Sequence, residues 1–240
     1  MAGSFDFQRF SIKQERSALK MGTDAVVLGA SMTLPVGRDG ARLLDVGTGC
    51  GIIALMAAQR MAEGGKDWKV DAIDIDGPSI DDAMENFQNS PWPAHIDAEC
   101  ISLQHFHPDY RFDAIFSNPP YFIRSLQNPD GRESSARHAI DLTYSEILSF
   151  AGANLAEGGT LSLILPAEYE RELLRVAVSF GFRLFHILRV RTTVQKLPKR
   201  IVVEFDTAVC GKVMEDEIVL QSGNVRTDKY SLLTEKFYLK

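Results

Sequence analysis

The sequence is poor in cysteine. Cys50, Cys100 and Cys210 are its only three, widely separated and without Cys-x-x-Cys spacing. A scattered, odd set builds neither a disulfide framework nor a zinc centre, and it fits a reducing, cytoplasmic setting. Long apolar runs are missing too: no stretch approaches the ~20 residues a membrane span requires. The N-terminus lacks the basic-then-apolar layout of a secretory leader. No internal repeat or low-complexity segment is present. Positive charge is not in excess either: the formal net charge is −6. This argues against a non-specific nucleic-acid binder, yet leaves room for a local basic face. His105 and His107 stand without a third ligand at sensible spacing, so no metal is expected. What remains is a chain of 240 residues, 45% apolar and 24% charged, which suits one large α/β domain with a well-buried core. The expected layout is a single domain over 1–240. Residues 1–35 are an N-terminal extension or lid, 36–210 the core and 211–240 a C-terminal extension. A monomer is expected.

The chain is organised around Ala41 to Leu55. Leu43 to Val46 reads as a buried parallel strand, with Asp45 near its end. The turn Gly47-Thr48-Gly49-Cys50-Gly51 follows, then an apolar helix from Ile52. Strand, glycine turn and helix form the nucleotide-binding unit of α/β sheets, because glycines let the backbone turn tightly and approach a ligand. The spacing is Gly-x-Gly-x-Gly, and a carboxylate lies two positions before the first glycine. A pyrophosphate at a helix N-terminus would be repelled there. A ligand with a cationic amine and no phosphate suits the site, and S-adenosylmethionine is such a ligand. The competing reading is a tight β–α turn that binds nothing.

Trp68 to Asp74 reads as the second strand. Asp74 falls about 20 residues past the turn, where an acid accepts hydrogen bonds from ribose hydroxyls. Ile75 follows it as a further candidate cofactor contact. Asp76 reads instead as the cap of a helix over 79–88. Ile96 to Leu103 is a weaker strand, and Ser102 and Leu103 at its end are candidates to face the cofactor's adenine. Upstream, Phe7, Phe10 and Ile12 suggest an extended piece or hairpin, and Thr23 or Asp24 caps an apolar helix. Residues up to 34 are either a packing extension or a lid over the ligand.

The fourth strand, Phe112 to Phe116, runs into Ser117-Asn118-Pro119-Pro120-Tyr121. The carboxyl end of a central strand faces the ligand crevice of a doubly wound sheet. Two prolines remove N–H groups, so this turn offers mainly acceptors. Asn118 adds a side-chain carbonyl and Tyr121 an aromatic face. Together they suit a planar amino group: two acceptors for its N–H bonds and a ring to stack on. A polar loop over 124–139 follows. It is either a substrate-ordering loop or a solvated surface. A helix over 144–155, a strand over 160–165, a helix over 167–180 and strands over 182–190 and 200–205 complete the core. Arg189, Arg191, Lys196, Lys199 and Arg200 cluster between the last two strands. Arg191, Lys196, Lys199 and Arg200, with Lys20, are candidate phosphate contacts, and an ordinary solvated loop is the competing reading. A strand over 217–221 and a helix near 231–237 close the chain.

The glycine turn and the Asn-Pro-Pro-Tyr sequence together resemble the class I S-adenosylmethionine-dependent methyltransferases that act on amino groups of adenine, guanine or glutamine. Phe10-Ser11-Ile12-Lys13-Gln14, Lys20-Met21-Gly22-Thr23-Asp24, Leu28-Gly29-Ala30, Asn86, Ser90-Pro91-Trp92, Ala136-Arg137-His138 and Lys199 to Phe205 resemble the bacterial tRNA1(Val) adenine-37 N6-methyltransferases. The resemblance implies a doubly wound, Rossmann-like, mostly parallel seven-stranded sheet with an antiparallel strand near the C-terminus. It also implies a tRNA substrate modified at the adenosine beside the anticodon. Related enzymes often carry an acid where Ser102 stands. Protein glutamine N5-methylation and ribosomal RNA amino methylation are the alternatives.

Overall fold

A computed structural model describes residues 4–17, 19–119, 143–208 and 211–239. The N-terminal segment forms a short antiparallel hairpin, β1 (Phe5–Asp6) and β2 (Ser11–Ile12), followed by α1 (Thr23–Ser31). The alternating core is β3 (Ala41–Val46), α2 (Ile52–Ala62), β4 (Trp68–Asp74), α3 (Gly77–Gln88), β5 (Ile96–Cys100) and β6 (Phe112–Ser117). Next come α4 (Tyr144–Asn154), β7 (Leu155–Pro166), a 3-10 turn (Ala167–Tyr169), α5 (Glu170–Ser179), β8 (Arg183–Thr193) and β9 (Arg200–Asp206). The chain closes with β10 (Met214–Ser222), β11 (Val225–Arg226) and α6 (Asp228–Leu233).

The main sheet runs in the order β11-β10-β8-β9-β7-β6-β3-β4-β5. Seven of these strands, from β8 to β5, are the sheet expected from the sequence. β10 and β11 extend it to nine, with β10 parallel to β8. β9 is antiparallel to both β7 and β8, while β6, β3, β4 and β5 all pair in parallel. From β3 the chain winds outward through β4 to β5, then returns to place β6 on the other side of β3. That reversal opens a crevice at the carboxyl ends of β3 and β6, where ligands bind in such sheets.

Side chains of successive strand residues point to opposite faces, and both faces are covered. Leu43, Val70, Phe116 and Val202 join α1, α2 and α3 in one apolar layer. Leu44, Ile73, Ile115 and Val203 join α4 and α5 in the other. This is why the central strands read as continuous apolar runs. The two chain ends pack together. The Gln8 N–H donates to the Phe237 carbonyl at 2.8 Å, and the Phe7 ring stacks on Tyr238 at 5.8 Å.

Several element ends differ from the sequence reading. α1 is capped by neither Thr23 nor Asp24. Its N-cap is Gly22 without a side-chain bond, because the Asp24 carboxylate instead accepts from Arg200 Nε at 2.6 Å. β5 ends at Cys100, so Ser102 and Leu103 lie in the turn beyond it. α6 starts earlier than residue 231, since the Thr227 hydroxyl caps it by accepting the Tyr230 N–H. Asp76 does cap α3, accepting the Ser79 N–H at 3.1 Å. Pro120, Tyr121, the loop over 124–139 with Ala136-Arg137-His138, and Cys210 lie outside the described residues.

Candidate active site

β3 delivers Asp45 to the crevice. Its side chain is fully buried. Oδ2 accepts the Thr48 hydroxyl at 2.8 Å and the Ala54 N–H at 3.1 Å. Oδ1 is buried with no hydrogen-bond donor among the described residues. Such an orphan is costly to leave unmade, and each one calls for an explanation. Burial pushes the Asp45 carboxyl up to about 7, against the pull of its Thr48 and Ala54 bonds, and the neighbouring Asp74 charge adds to the rise.

The glycine turn folds back on β4. The Gly47 and Thr48 N–H groups both donate to the Ile73 carbonyl, at 2.9 and 3.0 Å. The glycines do different jobs. A Cβ on Gly49 would meet nothing within 4 Å, so that position borders open space. Gly51 has φ +84°, and a Cβ there would sit 2.4 Å from the Phe87 ring of α3. Gly51 therefore serves helix packing, and Gly49 the open side of the turn. The Cys50 thiol is buried and pushed up to about 11 by that burial, which makes it a packing group rather than a nucleophile.

Asp74 ends β4 beside this turn. Its carboxylate accepts the Gly49 N–H at 2.8 Å and the Asp76 N–H at 3.0 Å. Ile75, next in the chain, is an exposed apolar residue. The segment after β5 lies alongside, because the Ile101 N–H donates to the Asp74 carbonyl at 2.9 Å. Leu103 there is buried, while the Ser102 hydroxyl is 2.9 Å from His105 Nδ1. Among the described residues no group of three or more His, Cys, Asp or Glu side chains gathers to hold a metal. The sequence-predicted cofactor residues thus converge on the ends of three adjacent strands.

Asn118 and Pro119 follow β6 directly. The buried Ser117 hydroxyl donates to the Val46 carbonyl at 2.7 Å, and Ser117 pairs in register with Val46. Asn118-Pro119 and the start of the glycine turn therefore leave adjacent strands side by side at one edge.

Two residues in this neighbourhood were not singled out for a role by the sequence reading. Asn86 of α3 is buried; its amide nitrogen donates to the Cys50 carbonyl at 2.8 Å and to the Lys13 carbonyl at 2.7 Å, and its oxygen accepts the Lys13 N–H at 2.8 Å. Asp82, also buried, accepts the Arg16 and Ser17 N–H groups at 2.9 and 2.8 Å and the Ser17 hydroxyl at 2.7 Å. The segment 13–17 is thereby strapped across α3 and tied to the glycine turn. The available signal was Asp82 and Asn86 four apart on the same helical face as the core residues Ala83 and Phe87.

The basic candidates divide. Arg200 is paired with Asp24. Arg191 donates to Glu217 at 3.0 Å, to the Lys196 carbonyl at 2.5 Å and to the Val194 carbonyl. Lys196 and Lys199 are exposed, and Lys20 is exposed with its ammonium near the Gln14 carbonyl. β8 ends and β9 begins at the same carboxyl edge as Asn118, since Arg200 pairs with Pro166 at the end of β7.

The architecture matches solved methyltransferases. One, described as a predicted O-methyltransferase from Agrobacterium tumefaciens, aligns with TM-score 0.68 at 17% identity over 89% of this chain and 96% of that one. A ribosomal protein L11 methylase from Lactobacillus delbrueckii aligns with TM-score 0.55 at 16% identity, covering 84% and 98%. Fold and site together define a class I methyltransferase, for which S-adenosylmethionine is the expected cofactor. The methyltransferase small domain model matches residues 19–181. Relatives named tRNA1(Val) (adenine(37)-N6)-methyltransferase are 35% identical in Phocaeicola vulgatus, over 98% of this chain and 97% of that protein, and 35% identical in Tolumonas auensis, over 99% and 97%. The chain belongs to the methyltransferase small domain family and, within it, to the group that these relatives represent.

The residues present fit the cofactor. The orphaned Asp45 Oδ1 awaits a donor, Gly49 borders open space, and Asp74 ends its strand beside both.

Proposed function

We propose that the protein transfers a methyl group from S-adenosylmethionine to the exocyclic N6 of an adenosine in tRNA, at position 37 of tRNA1(Val) as in its named relatives. The observation that carries this reading is the adjacency of the Asp45 turn and the Asn118-Pro119 acceptors, locked by the Ser117–Val46 hydrogen bond. Bound S-adenosylmethionine supplies an electrophilic methyl on a sulfonium, with a neutral thioether as leaving group. Asp45 and the Gly47–Gly51 backbone hold its amino-acid end. Asp74 accepts from its ribose hydroxyls, with Ile75, Ser102 and Leu103 lining the adenine side.

An adenine amino nitrogen is a poor nucleophile, because its lone pair is delocalised into the ring. The Asn118 side-chain oxygen and the Pro119 carbonyl accept its two N–H bonds. They hold the nitrogen closer to tetrahedral and aim its lone pair at the methyl. Such positioning supplies up to ~7–11 kcal/mol of barrier reduction in favourable cases. Tyr121, by its place in the sequence next to these acceptors, would stack on the extruded base. The amino proton leaves to water after transfer. A tRNA loop is partly unstacked already, which lowers the energy needed to turn the base out. Lys20, Lys196 and Lys199 contact phosphates, and Arg191 and Arg200 act through the hairpin they brace.

The test is to incubate the protein with S-adenosylmethionine labelled in its methyl group and total tRNA, then digest to nucleosides. The expected label is in N6-methyladenosine. Label in protein glutamine from an added extract, with none in tRNA, would overturn the reading.

A further inference from the structure

The loop between β8 and β9 combines features that an ordinary surface turn has no need of. It exposes two aliphatic side chains, Leu197 at 84% and Val194 at 55%, on either side of the exposed Gln195 and Lys196. Exposed cations, Lys196 and Lys199, flank Leu197. A single exposed leucine is common on protein surfaces; what sets this one apart is how the backbone around it is held. Arg191 reaches in from β8 and donates to the Val194 and Lys196 carbonyls, while its remaining nitrogen is fixed on Glu217 of β10. The Lys196 N–H donates to the Thr193 carbonyl at 3.2 Å, and the Lys199 N–H to the Val190 carbonyl at 2.8 Å. The Lys199 carbonyl accepts the Ala167 N–H at 3.2 Å from the end of β7. Arg200 anchors the base of the loop on Asp24 of α1. The loop is thus held from β7, β10 and α1, and it presents Leu197 to solvent next to Pro198.

The position is equally specific. β9 stands two strands from β6 in the sheet, so the hairpin base is about 10 Å from the Asn118 strand at the ~4.8 Å spacing of neighbouring strands. Two exposed lysines at this edge of an otherwise acidic chain complement a polyanion. An aliphatic side chain between cations fits the space between bases of a nucleic acid. Apolar wedges, leucine among them, unstack base steps in this way, and the unstacking is offset by the contacts it permits.

We propose that the β8–β9 hairpin is a wedge for an RNA loop. Leu197, supported by Val194, fills the place vacated in the base stack beside the extruded adenosine, and Lys196 and Lys199 hold the flanking phosphates. Arg191 is a positioning residue that sets the loop. The proposal rests on the tRNA reading above and adds the element that stabilises the open RNA.

The test uses tRNA carrying 2-aminopurine next to the target adenosine. Wild-type protein should raise its fluorescence on binding, as the reporter base loses a stacking neighbour. Leu197→Ser should abolish most of that rise and lower kcat/KM on tRNA about 10-fold or more, because the unstacking is no longer offset by the wedge. Its affinity for S-adenosylmethionine should stay unchanged. Leu197→Phe should restore both signals. Lys196→Ala should bind tRNA more weakly with a salt slope smaller by about one, while retaining the fluorescence change of bound RNA. A Leu197→Ser protein with wild-type fluorescence and wild-type kcat/KM would overturn the wedge while leaving tRNA methylation standing. A wild-type protein that labels no tRNA would instead overturn the reading beneath it.

Discussion

The Gly49 N–H donates to the Asp74 carboxylate at 2.8 Å, joining the open glycine of the turn to the acid that ends the neighbouring strand. The bond fixes where the carboxylate points, and the oxygens keep capacity for further donors. Replacing Asp74 with alanine should weaken S-adenosylmethionine binding about 10- to 100-fold, the range for losing hydrogen bonds to a charged acceptor. Titration calorimetry checks this. Unaltered affinity would assign the ribose to another residue.

If Asp45 holds the amine of S-adenosylmethionine as proposed, cofactor binding should depend on pH. Its carboxyl is held up at about 7 by burial. Between the ordinary carboxylate range and that value, the folded protein holds more protons here than the unfolded chain. Asp45 therefore makes stability fall as pH rises through that interval. A cationic amine placed beside Oδ1 favours the ionised form. Binding at about pH 6 should then expel up to one proton from this site, and affinity should tighten as pH rises towards about 7. Calorimetry in buffers of different ionisation enthalpy measures the released proton. Asp45→Asn should remove that component. Equal proton release from both proteins would refute the assignment.

Asn86 joins segment 13–17 to the glycine turn through hydrogen bonds on both its nitrogen and its oxygen. Asn86→Ala strands the buried Cys50 carbonyl, at about 1–3 kcal/mol, and removes the two part-buried bonds to the Lys13 backbone. The variant should melt earlier in denaturant and expose Lys13 and Arg16 to trypsin. Wild-type cleavage at those sites would mean that other contacts hold the strap.

Much of this was legible because the decisive groups are local in sequence. The Asp45 turn, Asp74 at a strand end and Asn118-Pro119 each carry their own punctuation, and sheet topology alone then brings them together. The central strands β3 and β6 announced themselves as short apolar runs, since both of their faces are covered, while the edge strand β5, half exposed, gave a weaker signal. What was not legible depends on long-range pairing. Asp24 looks like a helix cap until Arg200, far along the chain, takes its carboxylate. Arg191 looks like a phosphate contact until β10 supplies Glu217 and the loop carbonyls fold onto it. The edge strands β10 and β11 carry exposed polar residues on much of their length, so only one of them was visible as a strand. At Gly51 the sequence suggests a glycine that faces a ligand, but does not show the second reason for a glycine there, the Phe87 ring supplied by the next helix.

The central claim is that one edge of the sheet holds the methyl donor and that Asn118, next to it, holds the amino group. Asn118→Ala tests both halves in a single preparation. Donor affinity by calorimetry should stay within a few-fold of wild type, while label transferred to tRNA should be lost. Collapse of donor binding, or tRNA labelling at the wild-type rate, would contradict the account.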